Sequence, residues 1–386
     1  MKTYVAKEVK LLSLIFLLLF LGYNGVQQYI TAFFSQIGLP QAGFQSLIVI
    51  YASFTLSDPF SAIFVSKYGS KASMTLASIF YGLFILSLAT KSLILIYIAS
   101  ALIGIAGSLL WTGQNSYLIR ASKQGSYGAN AGFFATLFSV GSSLGVIILG
   151  FIIPRISYQL SFFIAALLPF VSFILFLKIK DVRIESTGNH LQLLKNIITN
   201  KTALRLSLVW FSYQFIYGFV IGQIPVEIKN TLGVSFIGLS SLFYIVPILF
   251  SYVLGKLSDV KGRKSLLIAS FIVSILGLGS LYIAHNPIFL ISGIILLAAN
   301  LSIVGPLTAA LIGDITTKKN LEYITALFWT VQNLGVVSAL VISIFIQTKI
   351  VYLISIGVLV IIFAILFPLL ILPLSTIKQK LAQDAG

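Results

Sequence analysis

The chain has 386 residues, 58% hydrophobic and 9% charged, with a mean hydropathy of +1.05. That balance excludes a water-soluble globular domain, because most of the surface this chain presents is apolar. Cysteine is absent, which excludes disulfides, thiolate metal sites and thiol catalysis, while the net charge of +16 calls for a topological explanation.

Twelve apolar stretches are each long enough to cross a hydrocarbon core of about 30 Å as a helix. They fall at 11–35, 42–65, 72–90, 92–118, 127–153, 159–178, 203–227, 234–255, 265–284, 287–312, 321–347 and 350–374. Strict alternation, which a membrane strand needs, is missing. The first stretch follows Lys2, Lys7 and Lys10 but leads into polar Asn24 to Gln28 with no small-residue cleavage site, so it reads as a retained span and not a signal peptide.

Of the 25 Lys and Arg residues, 21 fall in loops on one side of this arrangement. Lys91, Arg155, Lys229 and Lys349 fall on the other. The asymmetry predicts a multi-pass protein of the cell membrane with both termini cytoplasmic. Dispersed among spans, the basic residues read as orientation signals and not as a nucleic-acid surface.

Only His190 and His285 carry imidazoles, in a linker and an external turn. No metal cluster, no Ser/His/Asp set and no phosphate-cradling loop can be assembled, so neither an enzyme nor a cofactor is expected.

The sequence GKLSDVKGRK at 255–264 has a degraded copy, AIFVSKYGSK, at 62–71, a separation of 193 residues. Gly38 and Gly43 are matched by Gly233 and Gly238, and Leu144-Gly145-Val146 by Leu334-Gly335-Val336. The expected fold is therefore all-α and membrane-integral, with twelve helices in two parallel six-helix repeats. The halves should cover 1–179 and 203–386, joined by a cytoplasmic linker at 180–202. Leu191, Leu194, Ile197 and Ile198 share one helical face in that linker, which suits either an interfacial helix or a plain tether.

Trp, Asn and Gln are absent from the third, sixth, ninth and twelfth spans away from their ends. Polar side chains facing lipid are costly, so these four spans should be peripheral and the other eight should surround a cavity. Asn24, Gln27, Gln28 and Thr31 form one polar face of the first span. Trp111, Gln114 and Asn115 in WTGQN share their spacing with Trp329, Gln332 and Asn333 in WTVQN, and Trp210, Tyr213, Gln214 and Tyr217 repeat the combination. Asn300 and Asn130 add amides in the tenth and fifth spans.

Aromatic faces beside amides suit a small polar or amphipathic organic ligand. Asn and Gln also hold packed spans together, so adhesion is the competing explanation for each of them. The candidate substrate contacts are Asn24, Gln28, Trp111, Gln114, Asn115, Tyr213, Gln214, Trp329, Gln332 and Asn333. Asp58, the deepest acid, shares a face with Tyr51 and Thr55 beside Pro59. It is the first candidate for proton coupling, with Glu227 the second.

The charged sequence at 255–264 resembles the signature loop of the major facilitator superfamily, and the twelve spans, two halves and charged linker agree with that resemblance. It implies that Asp259 docks on the N-terminus of the fifth span, near Ser126 and Tyr127, to hold a cytoplasmic gate closed. Arg263 would pair with Asp314, while Gly255 and Gly262 shape the loop. The first-half copy has neutral Ser66 at the acid position, so its side of the gate should be weaker.

YNGVQQYITAFF at 23–34 and LLWTGQNSYL at 109–118 resemble the uncoordinated-type (Unc) branch, whose animal members include channel accessory proteins and trafficking chaperones. The Gly-Pro pair of the antiporter pattern is missing from the fifth span, although Gly141, Gly145 and Gly150 are present. The superfamily resemblance implies a secondary transporter working by rocker-switch alternating access, as a symporter or uniporter, and the absence of Lys and Arg from the middle of the spans points to a small neutral or zwitterionic organic solute. The alternative is an accessory protein that binds a membrane partner and moves no solute. A small-molecule substrate, the lipid bilayer and a monomeric assembly are expected, with no nucleic acid.

Because the chain is naturally cysteine-free, orientation has a direct test. Lys91→Cys should react with a membrane-impermeant maleimide in intact cells, and Lys319→Cys only after permeabilisation. The opposite pattern would invert the topology.

Overall fold

A computed structural model describes residues 5–182, 190–232, 239–284, 286–346 and 349–383. His285, Gly233 and Gly238, and the side chain of His190, lie outside the described residues. Among the described residues, twelve helices are long and apolar enough to span a membrane. Six precede the linker: α1 (Lys7–Gln36), α2 (Pro40–Tyr68), α3 (Ser70–Ala89), α4 (Leu93–Ala121), α5 (Tyr127–Ile156) and α6 (Tyr158–Lys178). A short helix, α7 (His190–Thr199), follows.

After α8 (Lys201–Ile221) comes a second short helix, α9 (Gln223–Leu232). The remaining spans are α10 (Leu242–Lys261), α11 (Arg263–Tyr282), α12 (Pro287–Ile315), α13 (Leu321–Phe345) and α14 (Ile350–Ile371), and α15 (Leu374–Gln383) closes the chain.

The repeat is visible in backbone geometry. The turn between α2 and α3 is the single residue Gly69 (φ 88°, ψ 161°), and that between α10 and α11 is Gly262 (φ 88°, ψ 154°). A side chain strains this left-handed conformation, so each copy keeps glycine there while its other residues diverge. The charged sequence is thus mostly helical: α10 runs through Lys261, past the expected end at Gly255, and only Gly262 turns.

Packing also repeats. A Cβ on Gly145 of α5 would lie 2.2 Å from the Leu21 carbonyl oxygen of α1, and one on Gly335 of α13 would lie 2.5 Å from that of Phe211 in α8. Small residues let these backbones touch, as membrane helices require where apolar burial supplies no driving force.

The seventh span is shorter than expected. It ends at Ile221, the chain bends at Gly222, and Pro225 enters the first turn of α9, where its missing N–H costs nothing. Glu227 is therefore on α9 and not on the span.

The halves meet through α5 against α10 and α12, and through α13 against α2 and α4. Gly128 and Gly255 make the closest approach, each lacking a Cβ that would fall 2.2 Å from the other's carbonyl oxygen. The linker helix α7 packs on α2, α8 and α13 with Leu194 and Ile197 buried. Leu191 and Ile198 remain exposed, so the four apolar residues divide between a packed and an outward side.

Gly255→Ala should destabilise the protein by about 1–3 kcal/mol through overpacking, read as a lower thermal midpoint. Gly279→Ala has no atom within 4 Å of its added Cβ, so its midpoint should hold or rise.

Candidate functional site: a neutral aromatic cavity between the halves

A cavity of about 190 Å³ lies between the halves, lined from α1, α2, α4 and α5 and from α8, α10, α12 and α13. All three tryptophans of the chain line it. Trp111 and Trp329 meet across the two halves with ring centroids 5.3 Å apart and planes tilted by 31°. At helical rise they lie roughly 15 and 12 Å from the helix ends at the Lys- and Arg-rich face, hereafter the basic end. They lie side by side in the cavity wall.

The opposite wall is held by hydroxyl and amide groups. Gln27 donates to the Tyr51 hydroxyl (3.4 Å), Gln28 to that of Tyr244 (3.1 Å), and the Tyr217 and Tyr244 hydroxyls lie 3.3 Å apart. The Gln28–Tyr244 bond joins α1 to α10 and so crosses between the halves.

Nine of the ten expected substrate contacts line the cavity: Asn24, Trp111, Gln114, Asn115, Tyr213, Gln214, Trp329, Gln332 and Asn333. Gln28 does not; its neighbour Gln27 does. The polar face of α1 thus divides, with one glutamine at the cavity and the next bridging to α10. Asn24 also donates to the Ser142 hydroxyl of α5 at 2.8 Å, an adhesive role.

Asn130 is spent on structure, accepting from the Ala6 N–H and donating to the Ser126 carbonyl. Asn300 sits behind the cavity, in a small void with Ser212 and Ser274. Tyr81 of α3 reaches the cavity and packs edge-on against Tyr23 at 4.7 Å. A search for Trp, Asn and Gln passes over it, so α3 is not wholly peripheral.

Asp58 is fully buried in α2 and accepts a hydrogen bond from the Asn333 amide of α13 at 3.1 Å. Its other oxygen, Oδ1, and Asn333 Oδ1 have no partner. The acid does not line the cavity, but Asn333 does, so one amide separates it from the lumen. Glu227 is elsewhere, 3.5 Å from Lys349 Nζ, which also donates to the Ala284 carbonyl.

At the basic end, Asp259 accepts from the backbone N–H groups of Gly128 (2.9 Å) and Ala129 (2.8 Å). A carboxylate thus neutralises the positive end of α5. Arg263 pairs with Asp259 and Asp314, both at 2.7 Å, and donates to Ser258. Gly255 permits the contact by its closeness to Gly128.

The first half carries a set that sequence inspection missed. Arg120, one residue before the end of α4, pairs at 2.6 Å with Glu322 in the first turn of α13, and both side chains are buried. Asp314 occupies the matching place in α12. The acid absent at Ser66 is therefore supplied from the other half, on the helix end that an acid at that position would have capped. Acid in a first turn opposite a base in a last turn was the available signal. Nε and Nη1 of Arg120 find no acceptor, whereas Arg263 is held by three side chains.

The fold is thus two six-helix halves around a shared central cavity. The family model described as Major Facilitator Superfamily matches residues 206–385, and that described as Ion channel regulatory protein UNC-93 matches residues 35–217. The second half is therefore similar to the major facilitator superfamily, and the first half resembles the UNC-93 branch.

Among curated relatives, Protein unc-93 homolog A of Bos taurus is 32% identical over 148 residues, or 36% of this chain and 32% of its own length. UNC93-like protein 3 of Arabidopsis thaliana is 31% identical over 112 residues, 29% of this chain and 23% of its own. The chain spans about a third or less of the length of these relatives. Among solved structures, the proton:xylose symporter XylE bound to 6-bromo-6-deoxy-D-glucose superposes with a TM-score of 0.77 at 13% identity, covering 94% of this chain and 95% of that one. The human organic anion transporter MFSD10 gives 0.76 at 12% identity, covering 93% and 98%.

Breaking a buried ion pair by removing one charge costs about 3–5 kcal/mol. Glu322→Gln should accordingly lower the thermal midpoint far more than Ser66→Ala, and adding Arg120→Leu to it should restore part of the loss. Equal midpoints for the two single variants would remove this pair from the inter-half contact.

Proposed function

We propose that this chain is a secondary transporter that carries a small organic solute by alternating access, with the basic end and both termini in the cytoplasm of a cell. The observation that carries this reading is the cavity lined from both halves, in which indole and amide groups converge although no charged residue lines it. Trp111, Gln114, Asn115, Tyr213, Gln214, Trp329, Gln332 and Asn333 are assigned to the solute, with Asn24 and Gln27 above them. Gln28 is assigned to the outer closure with Tyr244.

Asp259, Arg263 and Asp314 form one half of the inner gate, positioned by Gly255 and Gly262, and Arg120 with Glu322 forms the other. The two halves of the gate differ in strength. Asp259 and Arg263 are fully partnered, whereas Arg120 keeps unsatisfied donors in a buried site, and an incompletely satisfied buried pair returns little net stability. Opening therefore begins at the α4–α13 side.

Asp58 is the proton-coupling group in this reading. Among the described residues its only side-chain hydrogen bond crosses to α13, so its charge state bears on inter-half packing as well as on the cavity. Glu227, tied to Lys349 away from the cavity, is given the role of an outer strut.

The family description matched by residues 35–217 favours a second reading, an accessory protein that holds one conformation and binds a membrane partner. Spin labels separate the two. Pairs at Lys123→Cys with Lys256→Cys and at Lys91→Cys with Ile350→Cys should each give two distance populations in nanodiscs, one pair lengthening as the other shortens. Acidifying the buffer should shift these populations in the otherwise native chain and leave them fixed with Asp58→Asn. One invariant distance at each end would leave the accessory reading standing.

A further inference from the structure

Four primary amides in the cavity have no side-chain partner among the described residues: Gln114 and Asn115 on α4, Gln214 on α8 and Gln332 on α13. Three of them, Gln114, Asn115 and Gln332, are 2–3% exposed. A buried amide with no partner is costly, so an interior that keeps four such groups has them matched by something else. Such groups are satisfied by water or by a ligand, and a ligand that displaces water must offer equivalent groups.

The lining limits what that ligand can be. It contains no Asp, Glu, Lys, Arg or His. An ion, or a zwitterion with two full charges, would lose hydration with no countercharge to replace it. The solute is therefore neutral.

The rest of the wall is dominated by rings. Trp111 is boxed by Phe20 at 5.3 Å, Phe138 at 5.6 Å and Trp329 at 5.3 Å. Such a surface rewards a ligand with apolar faces, and bases stack on aromatic side chains with about 1–3 kcal/mol each. A polyol distributes hydroxyls around its whole ring, and each one turned toward an aromatic wall loses its hydrogen bonds. A planar heterocycle confines polar atoms to its rim, where a terminal amide presents a donor and an acceptor side by side.

We infer that the transported solute is a neutral planar heteroaromatic compound with adjacent hydrogen-bond donor and acceptor on its rim, of the nucleobase type, stacked against the Trp111–Trp329 wall and read by the amides of Gln114, Asn115, Gln214 and Gln332. This rests on the transporter reading and deepens it.

Because every tryptophan lines the cavity, intrinsic fluorescence of the purified full chain reports binding there directly. Adenine, uracil and nicotinamide are titrated against D-glucose and mannitol as polyols and L-alanine as a zwitterion, with equilibrium dialysis of radiolabelled adenine and uracil as a second measure.

At least one planar heterocycle should quench the emission saturably. Loss of one good hydrogen bond is worth about tenfold in affinity, so Gln114→Leu and Gln332→Leu should each weaken binding by about that factor while the chain still elutes as one folded species. Should either leucine variant not fold, Gln332→Glu, which keeps size but replaces the donor with an acceptor, should weaken adenine and uracil unequally.

Saturable quenching by a polyol or by L-alanine with none by the heterocycles overturns this ligand class and leaves the transporter reading intact. Failure of every heterocycle in both measurements also overturns it. The spin-label distances, which need no ligand, then decide separately whether alternating access survives.

Discussion

A hydrocarbon core accepts no hydrogen bonds, and the placement of nearly every polar side chain in this protein follows from that. An amide on the lipid face would lose its partners outright, so Gln114, Asn115, Gln214 and Gln332 turn toward the interface between the halves, where α4, α8 and α13 leave a space. Other amides serve packing: Asn24, at the cavity edge, also holds α1 to α5, and Asn130 secures the start of α5. The cavity is therefore the place where polar groups otherwise unsatisfied can meet water.

The two ends of that cavity are closed by different physics. Toward the basic end the halves are held by charge: carboxylates against helix N-termini and guanidinium groups, in a shell of touching glycines. Toward the far end they are joined by a neutral bond between Gln28 and Tyr244 beside an apolar contact of Tyr51 with Val336 and Leu340. Charge-assisted bonds are roughly twice as strong as neutral ones. The ionic end therefore resists separation more, which fits a conformation closed at the basic face and thinly closed opposite.

Most of the fold was legible because its determinants are local. Span length fixes the helix count, and the left-handed turns at Gly69 and Gly262 survive as glycines because a side chain strains that conformation. The docking of Asp259 on α5, which only the family resemblance implied, has its geometry in the structure. What escaped depends on contacts between distant segments. Glu322 looks like an ordinary first-turn acid and Arg120 like one more orientation signal until α4 and α13 are brought together. Gln27 and Gln28 share a helical face, and only the position of Tyr244 shows which one is drawn away from the cavity. Tyr81 was hidden by its residue type, because tyrosine is common at helix surfaces and carries no signal of its own.

The two W-T-x-Q-N sequences bear on how the site arose. Packing of Gly145 on Leu21 and of Gly335 on Phe211 makes α5 the counterpart of α13 and α1 that of α8. Trp111 is on α4, whose counterpart is α12, and Trp329 is on α13. The two sequences are thus not copies of one ancestral segment, since the repeat would place a second copy of either on a different helix. Two non-equivalent helices carry one pattern where they meet at the cavity wall, their indoles 5.3 Å apart. Shared ancestry does not account for that match; a shared demand does. A single ligand in contact with both walls imposes such a demand, because stacking and amide pairing from two directions require the same groups on each side. Packing alone is satisfied by many apolar combinations and would not bring the same residue types, in the same order, onto helices of unrelated descent.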